Sequence, residues 1–235
     1  MKRAAFLLLI CAGWLAAGAA FARTPVVVEL FTAQGCSSCG AANTLIGRLA
    51  ERPGVMALIW PVDYWDYLGW KDTFAKSEFT ARQRAYDKRF GLRDVYTPQV
   101  IVNGATQASG DKTEAVEALI RAARRAPAIP PQMKMRVDGR VAVGSGRAPH
   151  GGGEVWLIRF DPREQDVEVK EGDNRGKTVT HRNVVRQVAR LGAWTGRPAV
   201  FRFPEAPEDG LTTLVLVQTP RGGPILGVMK VDAKP

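Results

Sequence analysis

Two unlike textures along the chain predict an α/β domain followed by an antiparallel, β-sandwich-like all-β domain. From Val26 to about Ala126, short apolar runs alternate with stretches of 3.6-residue periodicity; beyond Gln132, apolar residues recur at every second position. Between the two lie Pro127, Pro130 and Pro131, ring-locked residues that end a helix and suit a short, stiff linker. The boundaries read from these signals are 1–22 for an export signal, 23–128 for the α/β domain and 129–235 for the β-rich domain.

The elements follow from the same periodicities. Val26-Val27-Val28-Glu29-Leu30-Phe31 opens a strand over 26–32. Ala42, Leu45, Ile46, Leu49 and Ala50 share one face of a helix over 39–52. Residues 55–62 read as a buried strand, and 74–90 as a helix with Ala75, Phe79, Tyr86 and Phe90 on one side. Val100-Ile101-Val102 is a further strand. A last helix starts near Asp111, where Asp111 and Glu114 have capping-box spacing, and buries Ala115, Val116, Leu119, Ile120 and Ala123. This alternation implies a partly parallel sheet. In the second domain Met133, Met135 and Val137 alternate, Asp138-Gly139 makes a hairpin turn, and Val141 and Val143 resume. Strands are expected over 154–160, 166–170, 177–190, 199–203, 211–218 and 225–231, although the valines of 183–191 suit a helix about as well.

The first 22 residues carry a basic start (Lys2, Arg3), an apolar stretch from Ala4 to Leu15 and the small-x-small site Ala20-Phe21-Ala22. They read as a secretory signal cut after Ala22, which implies a periplasmic or secreted protein that is not an integral membrane protein once processed. An uncleaved anchor is the alternative, with the apolar stretch marginal for a span. Cleavage removes Cys11 and leaves 213 residues with two cysteines, Cys36 and Cys39, and a net charge of +8. Such a length buries its cores without disulfide staples. The basic residues are scattered and form no block interleaved with aromatics, which argues against a nucleic-acid partner.

Chemistry concentrates at Cys36-Ser37-Ser38-Cys39, placed between the first strand and the first helix. A strand that empties into a Cys-x-x-Cys at a helix N-terminus exposes the first sulfur to the positive end of the helix dipole, and this favours the thiolate. The arrangement is that of a thioredoxin-like scaffold. Three readings stand for the pair: a redox couple, half of a metal site, or an inert structural disulfide. Zinc asks for four ligands and copper for two or three, and the remaining histidines, His150 and His181, show no ligand spacing. No resident metal is therefore expected, with copper handling as the rival. A disulfide across two residues closes too short a loop to stabilise the chain much. The redox reading leads: Cys36 as the attacking thiolate, Cys39 as the resolving thiol, and no cofactor beyond their own disulfide.

Two further segments bear on this reading. Thr97-Pro98 enters a strand about 60 residues after the cysteines; thioredoxin-like proteins keep a cis proline against the disulfide there, and Thr97 would pair its backbone with a client. The alternative is an ordinary trans proline at a strand start. The segment from Val62 to Lys71 emerges from the buried second strand and is rich in aromatics. Its Asp63 is the candidate proton relay for the buried sulfur, the alternative being a cap on the next turn. A Ser/His/Asp pattern and a phosphate-cradling glycine loop are both missing.

Residues 28–39, 62–71 and Tyr96-Thr97-Pro98-Gln99 resemble a family of secreted bacterial thioredoxin-like proteins of unassigned function, the domain of unknown function 1223 family. The resemblance extends to 172–177 (Gly172-Asp173-Asn174-Arg175-Gly176-Lys177) and to 181–186. It implies export, a thioredoxin-like domain and a second β-rich domain, and assigns no substrate. The chain departs from the family pattern at Gly40-Ala41, where prolines are common, and at Pro61, where a histidine is frequent. The expected protein is an exported thiol–disulfide oxidoreductase acting on exported protein thiols or disulfides, with a membrane or periplasmic redox partner. A non-enzymatic binding module with a merely structural disulfide is the other rival.

Overall fold

A computed structural model describes residues 24–231. The export signal read over 1–22, Cys11 included, lies outside the described residues. In order, the elements are β1 (Val26–Thr32), α1 (Gly40–Ala50), β2 (Val55–Pro61), α2 (Ser77–Phe90), β3 (Gln99–Val102), β4 (Thr106–Ser109) and α3 (Thr113–Arg125). There follow β5 (Met133–Met135), β6 (Val141–Val143), β7 (Gly153–Asp161), β8 (Gln165–Glu168), β9 (Thr178–His181), β10 (Val184–Trp194), β11 (Ala199–Phe201), β12 (Thr212–Gln218) and β13 (Ile225–Val231).

The architecture is mixed α/β around one large sheet, in the order β13-β12-β7-β10-β2-β1-β3-β4. β1 and β2 run parallel from Val26↔Val55 to Thr32↔Pro61, and β10 joins β2 in parallel at Val184↔Ile59. The other pairs in the sheet are antiparallel. Each residue of β1 is buried, because successive side chains enter layers on opposite faces. Val26, Val28 and Leu30 meet Leu45, Ile46 and Leu49 of α1 and Val116 and Ile120 of α3. Val27 and Phe31 meet Phe79 and Tyr86 of α2, together with Trp60, Ile158, Leu214 and Leu216.

The polar member of that second row is Glu29, fully buried and ion-paired with Arg82 Nε at 2.7 Å. Tyr86 donates its hydroxyl hydrogen to Glu29 and accepts from Gln218 Nε2 at 3.0 Å. A buried carboxylate is tolerable only with such partners; here both come from α2, and Gln218 of β12 holds Tyr86 in turn.

The second half departs from the expected separate sandwich. β7, β10, β12 and β13 extend the sheet begun by β1 and β2 instead of closing a sheet of their own. The apolar β2 could be recognised as a buried strand, but periodicity carries no information on which strand flanks it. A smaller layer, β11-β6-β5, covers the extension through Val141, Val143, Val155, Trp194, Val215 and Val217. The ambiguous stretch 183–191 is strand, pairing along β7 with register shifts after Val185 and Arg190. The capping box at Asp111 and Glu114 does not form: Lys112 is the N-cap of α3 and has no side-chain cap, so Asp111 stands one residue too early. α2 begins at Ser77 rather than 74, since Phe74 and Ala75 give their N–H groups to Asp72 Oδ1. Among the described residues no helix is long and apolar enough to cross a membrane.

Candidate functional site

Between β1 and α1 the chain makes two tight turns. Cys36 N–H donates to Ala33 O at 3.2 Å, Cys39 N–H to Cys36 O at 3.2 Å, and Asn43 N–H to Cys39 O at 3.0 Å. Cys39 is thus the N-cap of α1, and Cys36 stands in the turn before it. A disulfide joins them, with Cα atoms 5.4 Å apart. The unpaired N–H groups of the first helical turn point back toward this turn, and that helical turn has no acidic residue to offset their partial positive charge. Ser37 and Ser38 are exposed, with Ser38 Oγ 3.5 Å from Cys36 Sγ. The cysteines themselves are 0% and 1% exposed.

Thr97 and Pro98 reach the start of α1 through Gly110 and Trp65. The Thr97–Pro98 peptide is cis, and Pro98 O accepts from Gly110 N–H at 2.8 Å. Gly110 permits the approach: a Cβ there would lie 3.0 Å from both Pro98 Cβ and Ala42 Cβ on α1. Trp65 bridges from the other side. Its indole N–H donates to Thr97 Oγ1 at 2.8 Å, and its Cβ lies 3.9 Å from the position a Cβ on Gly35 would take. Asp63 Oδ1 accepts from Thr80 Oγ1 at 2.6 Å at the start of α2.

Three residues not singled out from the sequence for a role hold the turn in place. Gln34, fully buried, gives its N–H to Asp72 Oδ2 at 2.7 Å. Gln34 Oε1 accepts from Trp70 Nε1 at 2.9 Å and from Thr73 N–H at 3.1 Å. Burial pushes the Asp72 carboxyl up to about 6 despite the N–H groups it accepts. From far along the chain, Asn174 Nδ2 donates to Gln34 O at 2.8 Å and to Cys36 O at 2.9 Å. Asn174 sits in the Gly172–Lys177 stretch that carried the family resemblance, which was the one available signal. Gln34 lies in another such stretch, residues 28–39, whereas Asp72 lies outside them and had no signal, because a polar residue beside aromatics reads as a loop until the partner across it is known.

The two histidines behave differently. His150 is exposed in a turn, while His181 is 1% exposed, edge-on to Phe74 with ring centroids 5.6 Å apart. Burial lowers His181 to about 4, so it is neutral near pH 7. Among the described residues no three His, Cys, Asp or Glu side chains cluster in a way that would hold a metal ion.

Comparison with known proteins places the fold and the family. A crystal structure of the protein AGR_C_4864 from Agrobacterium tumefaciens is 30% identical and superposes with a TM-score of 0.73, over 91% of this chain and 100% of that one. HBP35 of Porphyromonas gingivalis shares the fold at 12% identity, with a TM-score of 0.57 over 90% of this chain and 80% of its own. None of the curated proteins compared matches the chain. Residues 27–218 match the model described as protein of unknown function (DUF1223), and the chain belongs to that family.

Proposed function

We propose that the protein is an exported thiol–disulfide oxidoreductase of thioredoxin-like fold that works through Cys36 and Cys39. The observation that carries the reading is the position of the disulfide, at the junction of β1 with the N-terminus of α1, the helix whose Ala42 faces the cis Pro98 across Gly110. In the reducing direction, the Cys36 thiolate attacks a client disulfide. One client sulfur leaves as a thiolate and takes a proton, and a Cys36 mixed disulfide forms. Cys39, deprotonated, then attacks Cys36 Sγ and releases the second client thiol, so two electrons pass from the pair to the client. Oxidation of a client dithiol is the same sequence in reverse. The helix N-terminus favours the thiolate at the pair, and Pro98 and Thr97 would border the client. Clients are exported protein thiols or disulfides, and a membrane or periplasmic partner would restore the resting state of the pair.

The test is trapping. Cys39→Ala should accumulate mixed disulfides through Cys36, seen as reductant-sensitive adducts on a gel of exported proteins, while Cys36→Ala should accumulate none. No adducts from either variant would favour the binding-module reading. Stoichiometric copper(I) retained by the reduced protein, and lost on either substitution, would favour copper handling.

A further inference from the structure

The exchange reading meets an obstacle in the structure itself: both cysteines are almost wholly out of solvent contact. A segment from the other end of the chain binds the backbone of the turn that carries them. β8 and β9 form a two-stranded hairpin outside the main sheet, from Gln165↔His181 to Glu168↔Thr178. Its connecting loop is closed by Val169 N–H to Lys177 O at 3.0 Å and Gly176 N–H to Val169 O at 2.8 Å. Gly172 and Gly176, at φ of 75° and 76°, turn the loop on either side of Asn174.

The tip of this hairpin is fastened to the redox turn. Asn174 is 5% exposed, and its single amide group binds the carbonyls of Gln34 and Cys36 at once. Lys177 Nζ donates to Asn174 Oδ1 at 3.2 Å and so fixes which way the amide faces. The tip also rests on the turn after Trp65: a Cβ on Gly69 would lie 2.8 Å from Glu171 Oε2. At the tip itself the contact with the Cys36 peptide is a hydrogen bond, and the apolar anchor of the segment, the fully buried Val169, lies where the strands meet the loop. Segments held in that way open locally at low free-energy cost.

We propose that the β8–β9 hairpin tip is a latch over the Cys36–Cys39 disulfide, with Asn174 as the positioning residue that holds it shut. The latch deepens the exchange reading and takes its purpose from it. A client must lift the tip, or bind after it lifts, before a thiolate can approach along the S–S axis. Closed, the latch shields the pair from small thiols and leaves it to partners that can displace Asn174.

The test needs no client and so fails separately from the exchange reading. Dithiothreitol reduces the oxidised protein: the Cys36–Cys39 bond breaks, two protein thiols form, and the dithiol is oxidised to its cyclic disulfide. Free thiols are followed with time by alkylation and mass. Asn174→Ala should accelerate reduction by about tenfold or more, as expected when two hydrogen bonds are lost from the closed state. Lys177→Ala, at an exposed position, should accelerate it by about threefold. The wild-type protein should be reduced more slowly than an isolated peptide carrying the same Cys-Ser-Ser-Cys run. A folded Asn174→Ala protein reduced at the wild-type rate would overturn the latch. If that variant does not fold, an unchanged rate in Lys177→Ala, or a wild-type rate equal to that of the peptide, would overturn it.

Discussion

At the scale of single residues, the chain holds two buried titratable groups whose effects on stability oppose each other. His181 is lowered to about 4 from an ordinary value of 6.5, chiefly because burial disfavours its charged form. A base depressed on folding stabilises the fold above its unfolded value, and that stability is lost as pH falls from 6.5 toward 4. The loss is about 3 kcal/mol at 1.36 kcal/mol per unit. Asp72 is raised to about 6 from 3.8, also by burial. Its contribution is largest below its unfolded value and is lost as pH rises through about 6. The wild-type profile is therefore flattened. The difference between wild type and His181→Phe isolates the histidine: urea unfolding should show the gap shifting in favour of the variant by about 3 kcal/mol between about pH 7 and about pH 4. A gap that does not change with pH would mean that His181 takes a proton in the folded state.

At the scale of elements, the two halves are interlocked along the chain, and three of the contacts stand out. β10 pairs with β2 at Val184↔Ile59, Gln218 of β12 donates to Tyr86 of α2, and the β8–β9 tip binds the turn that carries Cys36. The chain between α3 and β5 is exposed by contrast, with Ile129 97% exposed. Limited proteolysis should cut there first, and the nicked halves should elute together on size exclusion in native buffer. Separation of folded halves would show that the shared sheet contributes little. Periodicity made β1, β2 and α1 readable, because each buries regular apolar positions, whereas the β5–β6 hairpin was legible from its Asp138-Gly139 turn, with Met135 and Val137 exposed. β4 was missed because Thr106, Gln107, Ala108 and Ser109 supply no alternating apolar signal. The sheet order was not legible either: the valines of β10 show that it is buried but not that it lies against β2.

At the scale of the whole molecule, the C-terminal half completes the site made by the N-terminal half. The likeness to thioredoxin-like proteins led the sequence reading to set Thr97 and Pro98 near Cys36 and Cys39, and the Thr97–Pro98 peptide is cis as that likeness implies. It did not reveal what Asn174, Gln34 or Asp72 do there, because their roles depend on contacts between residues up to 140 positions apart. The account as a whole rests on the Cys36–Cys39 pair being an exchangeable couple rather than a staple. The most direct measurement is its reduction potential, taken by equilibrating the protein in glutathione and dithiothreitol buffers and counting free thiols by mass. The account predicts a reversible two-electron transition at a potential above about −300 mV, in the range of exchange-active pairs. A pair that stays oxidised in buffers poised below about −300 mV, with the latch opened by Asn174→Ala, would contradict it.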